Sequence, residues 1–130
     1  MNLATFITAL ALVESGNNDN AVGKHGELGR YQITGETWYQ WCPGTFNITN
    51  VLVEQERVVC WHTRWIRNAM PIRVLGDPLY LAAAWNCGLS RCQKSRWQIT
   101  KLPKSTQRYV KKFQREYQKQ LSKRSGPSHP

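Results

Sequence analysis

An isolated carboxylate ends the first apolar run of the chain. Residues 3–13 (LATFITALALV) are mostly apolar, and Glu14, the first acid in the sequence, follows them directly. Ser15 and a glycine come next, so the carboxyl group is expected where a buried helix meets a polar loop. Such a place raises a carboxyl pKa enough for proton donation near neutrality. Because cleavage of a glycosidic bond needs a proton donor, Glu14 is the candidate general acid.

Three later segments add residues suited to holding a sugar. With the first, they read ESG at 14–16, GELGRYQI at 26–33, AWNCG at 84–88 and YV at 109–110. In order and spacing the four resemble the motifs of the soluble lytic transglycosylase family, which shares the lysozyme superfamily fold with goose-type lysozymes. That family's pattern is approximately ES, GLMQI, AYN with a following glycine, and a late YV in the last helix. The resemblance covers about residues 3–117.

The resemblance implies a role for each matching residue. Glu14 looks like the family's sole catalytic acid, which protonates the bond oxygen and then acts as a base. Ser15 resembles the residue that helps to hold the acid or the substrate's acetamido group. Gln32 and Asn86 look like groove residues, and Tyr109 like the hydroxyl that approaches the reacting centre. Neutral amides and hydroxyls can hold a sugar without placing a second charge beside the acid.

The chain departs from the family pattern at three places. Arg30 and Tyr31 replace the usual Leu-Met before the glutamine, which makes Tyr31 a candidate substrate-binding residue in a more polar groove. Trp85 replaces a tyrosine, so this candidate binding residue loses a hydroxyl and gains a stacking surface. Cys87 adds a possible disulfide partner beside the groove.

The resemblance implies a peptidoglycan lytic transglycosylase that cleaves the β-1,4 bond between N-acetylmuramic acid and N-acetylglucosamine and leaves 1,6-anhydro-muramoyl ends. It implies no metal and no cofactor. The first alternative is a lysozyme-type hydrolase (muramidase) in which Glu27 supplies the second carboxylate that hydrolases normally use. The second alternative is a virion or structural protein that binds wall or nucleic acid without catalysis.

Positive charge is concentrated at the C-terminal end. The net charge is +10, and residues 91–124 hold twelve of the eighteen lysines and arginines beside a single acid, Glu116. This distribution favours an anionic partner or, alternatively, a solvated basic helix. With the resemblance, we expect glycan strands as substrate, electrostatic contact with anionic wall polymers, no specific nucleic acid and a monomer.

The first apolar run could be mistaken for an export signal. No basic segment precedes residues 3–13, and no small-residue cleavage site separates them from Glu14. They are also too short to span a bilayer. We interpret them as the first helix and expect the protein to act at the bacterial cell wall: periplasmic, extracellular or phage-delivered.

Helical patterns dominate the remainder of the chain. They predict a mainly α, lysozyme-like single domain over residues 1–122 with a catalytic groove, followed by a polar basic tail at 123–130. The segment 49–68 is more apolar than one buried face requires, which predicts a central buried helix. Asp77-Pro78 predicts a helix start and Gly88 its end, and residues 105–121 form a last amphipathic pattern.

Cysteines and tryptophans leave further alternatives. The spacing of the four cysteines argues against a zinc site. If the protein acts outside the cytosol, three disulfide pairings are open, and we expect Cys42 with Cys60 and Cys87 with Cys92; free buried thiols are the alternative. The six tryptophans divide by position. Those on the 49–68 helix are expected in the core, and one or two of those nearer loops are expected to stack on sugars. The first group is Trp61 and Trp65; the second is Trp38, Trp41, Trp85 and Trp97.

Overall fold

A computed structural model describes residues 1–124, and these residues are mainly helical. They form six α-helices, one 3-10 helix and no strand. The α-helices are α1 (Leu3–Ser15), α2 (Gly35–Trp41), α3 (Ile48–Ala69), α4 (Pro78–Cys87), α5 (Leu89–Lys94) and α6 (Lys104–Arg124), with the 3-10 turn at Ile99–Lys101. The prediction of a mainly α chain is confirmed. Among the described residues, no helix is both long and apolar enough to cross a membrane.

Local capping explains where the helices near the site begin and end. Asp77 accepts a hydrogen bond from the Leu79 amide at 2.9 Å, and Pro78 occupies the first turn of α4. Thr34 caps α2 in the same way, at 3.2 Å from the Thr37 amide. Gly16 ends α1 with a φ of 66°, a left-handed angle that glycine adopts without strain. The start of α4 at Asp77-Pro78 and the end of α1 before the glycine agree with the sequence analysis.

The central helix of the fold is α4. Residues 49–68 do form a helix, α3, but the prediction that this helix is the central one is wrong. Four consecutive residues of α4, 81–84, are buried, and the helix packs against α3, α5 and α6. Three of the four are alanines, which let neighbouring helices approach closely. By contrast, α3 buries one face and leaves Val53 76% exposed on the other. The apolar excess of α3 is therefore on its surface.

Helix α6 fixes the first helix against the centre. It packs on both α1 and α4. The rings of Phe6 and Phe113 meet with centroids 5.0 Å apart. Within the described residues α6 runs to Arg124, two residues past the predicted domain boundary at 122. Residues 125–130 of the predicted tail lie outside the described residues, so the division into domain and tail stays a prediction.

Candidate active site

Glu14 is held at the junction of α1, α4 and α6. Its Oε2 accepts a hydrogen bond from the Tyr109 hydroxyl at 2.6 Å and another from the Trp85 indole N–H at 3.1 Å. The preceding residue, Val13, is buried, and Gly16 begins the loop on the other side. Residues separated by 71 and 95 positions in the chain thus meet at one carboxylate.

Burial sets the proton affinity of this carboxylate. Removal from water raises the pKa of Glu14 above its ordinary value. The hydrogen bonds from Tyr109 and Trp85 oppose that shift, the nearby charge of Glu27 adds to it, and Lys112 weakly opposes it. Burial and the adjacent carboxylate also raise the pKa of Tyr109 well above its usual value, so its hydroxyl stays a donor. Burial thus favours the protonated, proton-donating form of Glu14 more strongly than water does for a solvated glutamate.

The hydroxyl of Ser15 forms two hydrogen bonds with the loop that follows α1. Its hydroxyl donates to the Arg30 carbonyl at 2.7 Å and accepts from the Asn18 amide at 2.9 Å. The end of α1 is thereby tied to the loop that follows it. These contacts favour the first of the two roles that the resemblance implies, holding the acid, and the role of Ser15 stays a prediction.

The loop that carries Gln32 is anchored to α3. Arg30 contacts the Asp19 carboxylate at 2.8 Å, and its amide donates to Gln55 at 2.9 Å. At Gly29, where φ is 86°, an added Cβ would come within 2.6 Å of the Gln55 Oε1, so only glycine permits this approach. Gln32 itself has a φ of 53°, and its side-chain amide donates to the Gly29 carbonyl at 3.0 Å. The backbone is strained at the residue that the motif placed in the groove.

Tyr31 lies in the core instead of the groove. Its side chain is 2% exposed, and its hydroxyl donates to the Glu56 carboxylate at 2.6 Å. The structure therefore gives Tyr31 a place in the packing of the loop against α3, which corrects its prediction as a substrate-binding residue. No signal in the sequence distinguishes a tyrosine that points inward here from one that points outward.

A cleft of about 750 Å³ lies beside the acid. Gln32, Trp85 and Asn86, three of the predicted groove residues, line it together. Glu14 and Tyr109 are not lining residues. Trp85 connects the two parts of the site, because its ring lines the cleft while its N–H contacts Glu14.

One wall of the cleft is aromatic, and the sequence did not indicate it. His62 and Trp65, both on α3, line the cleft and stack with ring centroids 5.2 Å apart. His62 also meets Trp85 edge-on at 5.6 Å and accepts a hydrogen bond from the Trp41 indole on Nδ1 at 3.0 Å. Burial lowers the pKa of His62 to about 4, so the ring is neutral near pH 7 with its proton on Nε2.

The tryptophans divide differently from the prediction. Trp61 and Trp65, expected in the core, are 37% and 40% exposed, whereas Trp38 and Trp97, expected near the surface, are 1% and 5% exposed. Trp85, also expected near a loop, does line the cleft. A helical pattern places a residue on a face but does not say whether that face meets the core or a cleft.

Glu27 lies near the acid without contacting it through a hydrogen bond. One of its carboxylate oxygens accepts from the His25 amide at 2.7 Å. Its charge contributes to the raised pKa of Glu14, which places it within electrostatic range. Within residues 1–124, no group of three or more histidines, cysteines and acids could hold a metal ion.

The four cysteines are free thiols in the structure. The sulfurs of Cys87 and Cys92 lie 3.9 Å apart where α4 meets α5. A hydrogen bond from Cys92 lowers the pKa of the Cys87 thiol to about 7. Cys87 lines the cleft. Both predicted pairings, this one and Cys42 with Cys60, stay predictions.

Comparisons with family models, with curated proteins and with solved structures find no match to this chain. The geometry of the site therefore carries the functional argument.

Proposed function

We propose that this protein is a peptidoglycan lytic transglycosylase with a lysozyme-like fold. The observation that carries the proposal is the environment of Glu14: a largely buried carboxylate with a raised pKa, held by two donors beside an open cleft. The cleft offers neutral amides and aromatic faces, the groups with which proteins hold sugars. The motif resemblance supports the same reaction.

The proposed reaction needs one protein carboxyl group. Glu14, protonated, donates its proton to the glycosidic oxygen as the bond from the muramoyl C1 breaks. The substrate's acetamido group stabilises the cation at C1. The Glu14 carboxylate then accepts the proton of the muramoyl 6-hydroxyl, whose oxygen bonds to C1 and closes the 1,6-anhydro ring. Tyr109 and Trp85 hold the carboxylate in place through both steps.

Fragment analysis of digested peptidoglycan tests this proposal. We expect the intact protein to release muramoyl ends one water lighter than reducing ends, and Glu14→Gln to release none. Glu54→Gln is the matched control, because Glu54 is paired with Arg57 on the outer part of α3 and does not line the cleft beside Glu14. Equal release by the Glu14 variant and the intact protein would refute the role of Glu14.

The charge of Glu27 near Glu14 keeps a hydrolase as the second candidate function. In that reaction Glu27 would activate water or bind C1, and the products would carry reducing ends. Reducing ends that disappear in Glu27→Gln would select the hydrolase. Anhydro ends and normal activity in Glu27→Gln would exclude it.

The basic surface of α6 supports a further part of the proposal, attachment to the anionic wall. Exposed cations recur along this helix at Lys104, Arg108, Lys111, Lys112, Arg115 and Lys119. They would concentrate the enzyme on wall polymers through a long-range field that salt screens. Retention on purified wall should therefore fall as ionic strength rises, and retention that is indifferent to salt would remove this role.

A further inference from the structure

The cleft is lined by two cations that have no salt-bridge partner among the described residues. Arg91 and Lys94, here called the α5 cations, line it from α5. Both side chains are exposed, and neither forms a salt bridge within residues 1–124. They are three positions apart on one short helix, so they share a face.

An acid stands on another wall of the same cleft. Glu36, in the first turn of α2, is a lining residue together with the α5 cations, yet it also forms no salt bridge in the described part of the chain. The cleft therefore presents positive and negative charge at separate places. A ligand that satisfies both would itself carry carboxylates and an amine.

A glycan strand without peptides does not use all of these groups. Its N-acetylated sugars are complementary to the amides and aromatic faces around Trp85, and its lactyl carboxylates can pair with a cation, but it has no amine for Glu36. In peptidoglycan the lactyl group instead carries a stem peptide. That peptide has free carboxylates and, where its third residue is a diamino acid that is not cross-linked, a free amine.

We infer that the α5 cations bind the carboxylates of the stem peptide while Glu36 faces its amine, so that the cleft selects peptide-bearing glycan over bare glycan and chitin. The chain order supports this placement. Asn86, a groove residue, precedes Arg91 by five positions across the α4–α5 corner, so sugar-binding and charged groups lie on one continuous wall. This inference rests on the proposed function.

Binding to defined ligands tests the inference without turnover. In the Glu14→Gln background, the Kd is measured by NMR titration for a tetrasaccharide strand bearing tripeptides that end in diaminopimelate, and for the same strand without peptides. We expect the peptides to lower the Kd by about two- to tenfold, the range for a few solvated ion pairs. Adding Arg91→Gln and Lys94→Gln should reduce the preference for the peptide-bearing strand, and adding Glu36→Gln as well should make the two ligands bind equally.

Two controls separate a specific site from net charge. Arg64→Gln with Lys123→Gln removes the same charge from residues outside the cleft and should keep the preference for peptide. Amidation of the peptide carboxylates alters the ligand and leaves the protein intact, and it should reduce the preference as the α5 double variant does. The inference is overturned if the peptides do not matter, if the α5 double variant keeps the full preference, or if the control pair loses it.

Failure of this inference can be told apart from failure of the proposed function. Equal cleavage of bare and peptide-bearing strands by the intact protein would keep the transglycosylase and reject the peptide site. Selective binding without any cleavage would keep the peptide site and reject the transglycosylase.

Discussion

The hydrogen bond from Tyr109 to Glu14 can be removed by deleting a single oxygen atom, and the pKa of Glu14 should respond. Tyr109→Phe removes the hydroxyl that donates to Glu14 Oε2 at 2.6 Å and keeps the ring. This bond favours the ionised carboxylate, and a hydrogen bond to a charged group is worth about 1.5–3 kcal/mol. The Trp85 bond remains. Since desolvation is then less strongly opposed, the already raised pKa of Glu14 should rise further.

The sign of the kinetic effect follows from the role of Glu14 as an acid. In the proposed reaction the free enzyme needs Glu14 protonated, so kcat/KM should fall as pH rises through the pKa of Glu14. In Tyr109→Phe this falling limb should move to higher pH. The pKa itself can be measured without activity, from the pH titration of glutamate labelled with ¹³C at the side-chain carboxyl. The Glu14 signal is identified by its absence in Glu14→Gln.

Tyr117→Phe is the matched control on the same helix. Tyr117 is 7% exposed and stacks on Phe113 with centroids 5.8 Å apart, away from the carboxylate. It should leave the Glu14 titration unchanged. A Glu14 pKa that stays the same or falls in Tyr109→Phe, or that rises equally in Tyr117→Phe, would refute the account of the site.

Three other predictions concern the surroundings of the acid. Ser15→Ala should lower the free energy of unfolding by about 1–3 kcal/mol, measured by urea denaturation, because it leaves the Arg30 carbonyl without its donor; a change below about 0.5 kcal/mol would contradict this. Because the pKa of His62 falls from 6.5 to about 4 on burial, the unfolded state binds more protons between these values. Stability should therefore decline as pH falls from 6.5 to 4, and His62→Gln should lack that decline in urea melts; an unchanged decline would exclude His62 as its source. Mild oxidation with oxidised glutathione should join Cys87 to Cys92, detected by peptide mass mapping, and recovery of both as free thiols would disprove the pairing.

Local chemistry made part of the fold predictable. The start of α4 follows from an acid and a proline in sequence, and the end of α1 follows from a glycine after an apolar run. These signals act within one helical turn, so no knowledge of distant residues is needed. For the same reason Glu14 could be singled out by its position at a helix end.

The direction in which a side chain points was harder to predict from the sequence. Trp65 and Val58 both contribute to the apolar character of α3, yet the first lines the cleft and the second is fully buried. Hydrophobicity alone does not distinguish a residue that faces the core from one that lines a cleft. Tyr31 shows the opposite error, since its position before Gln32 in the motif suggested the groove, whereas its side chain is buried and its hydroxyl donates to Glu56. Both outcomes depend on contacts between segments that are distant in sequence.

In the proposed reaction, Trp85 takes part in both substrate binding and catalysis. Its ring lines the cleft, and its N–H contacts Glu14. In the proposed reaction, a sugar that stacks on the ring would displace water beside the acid and so strengthen the desolvation that already raises the pKa of Glu14. Glu14 would then be more fully protonated with substrate bound than with the cleft open. Once the proton has left, the Trp85 and Tyr109 donors would stabilise the carboxylate that remains, so Trp85 would act through its ring in the first step and through its N–H in the second.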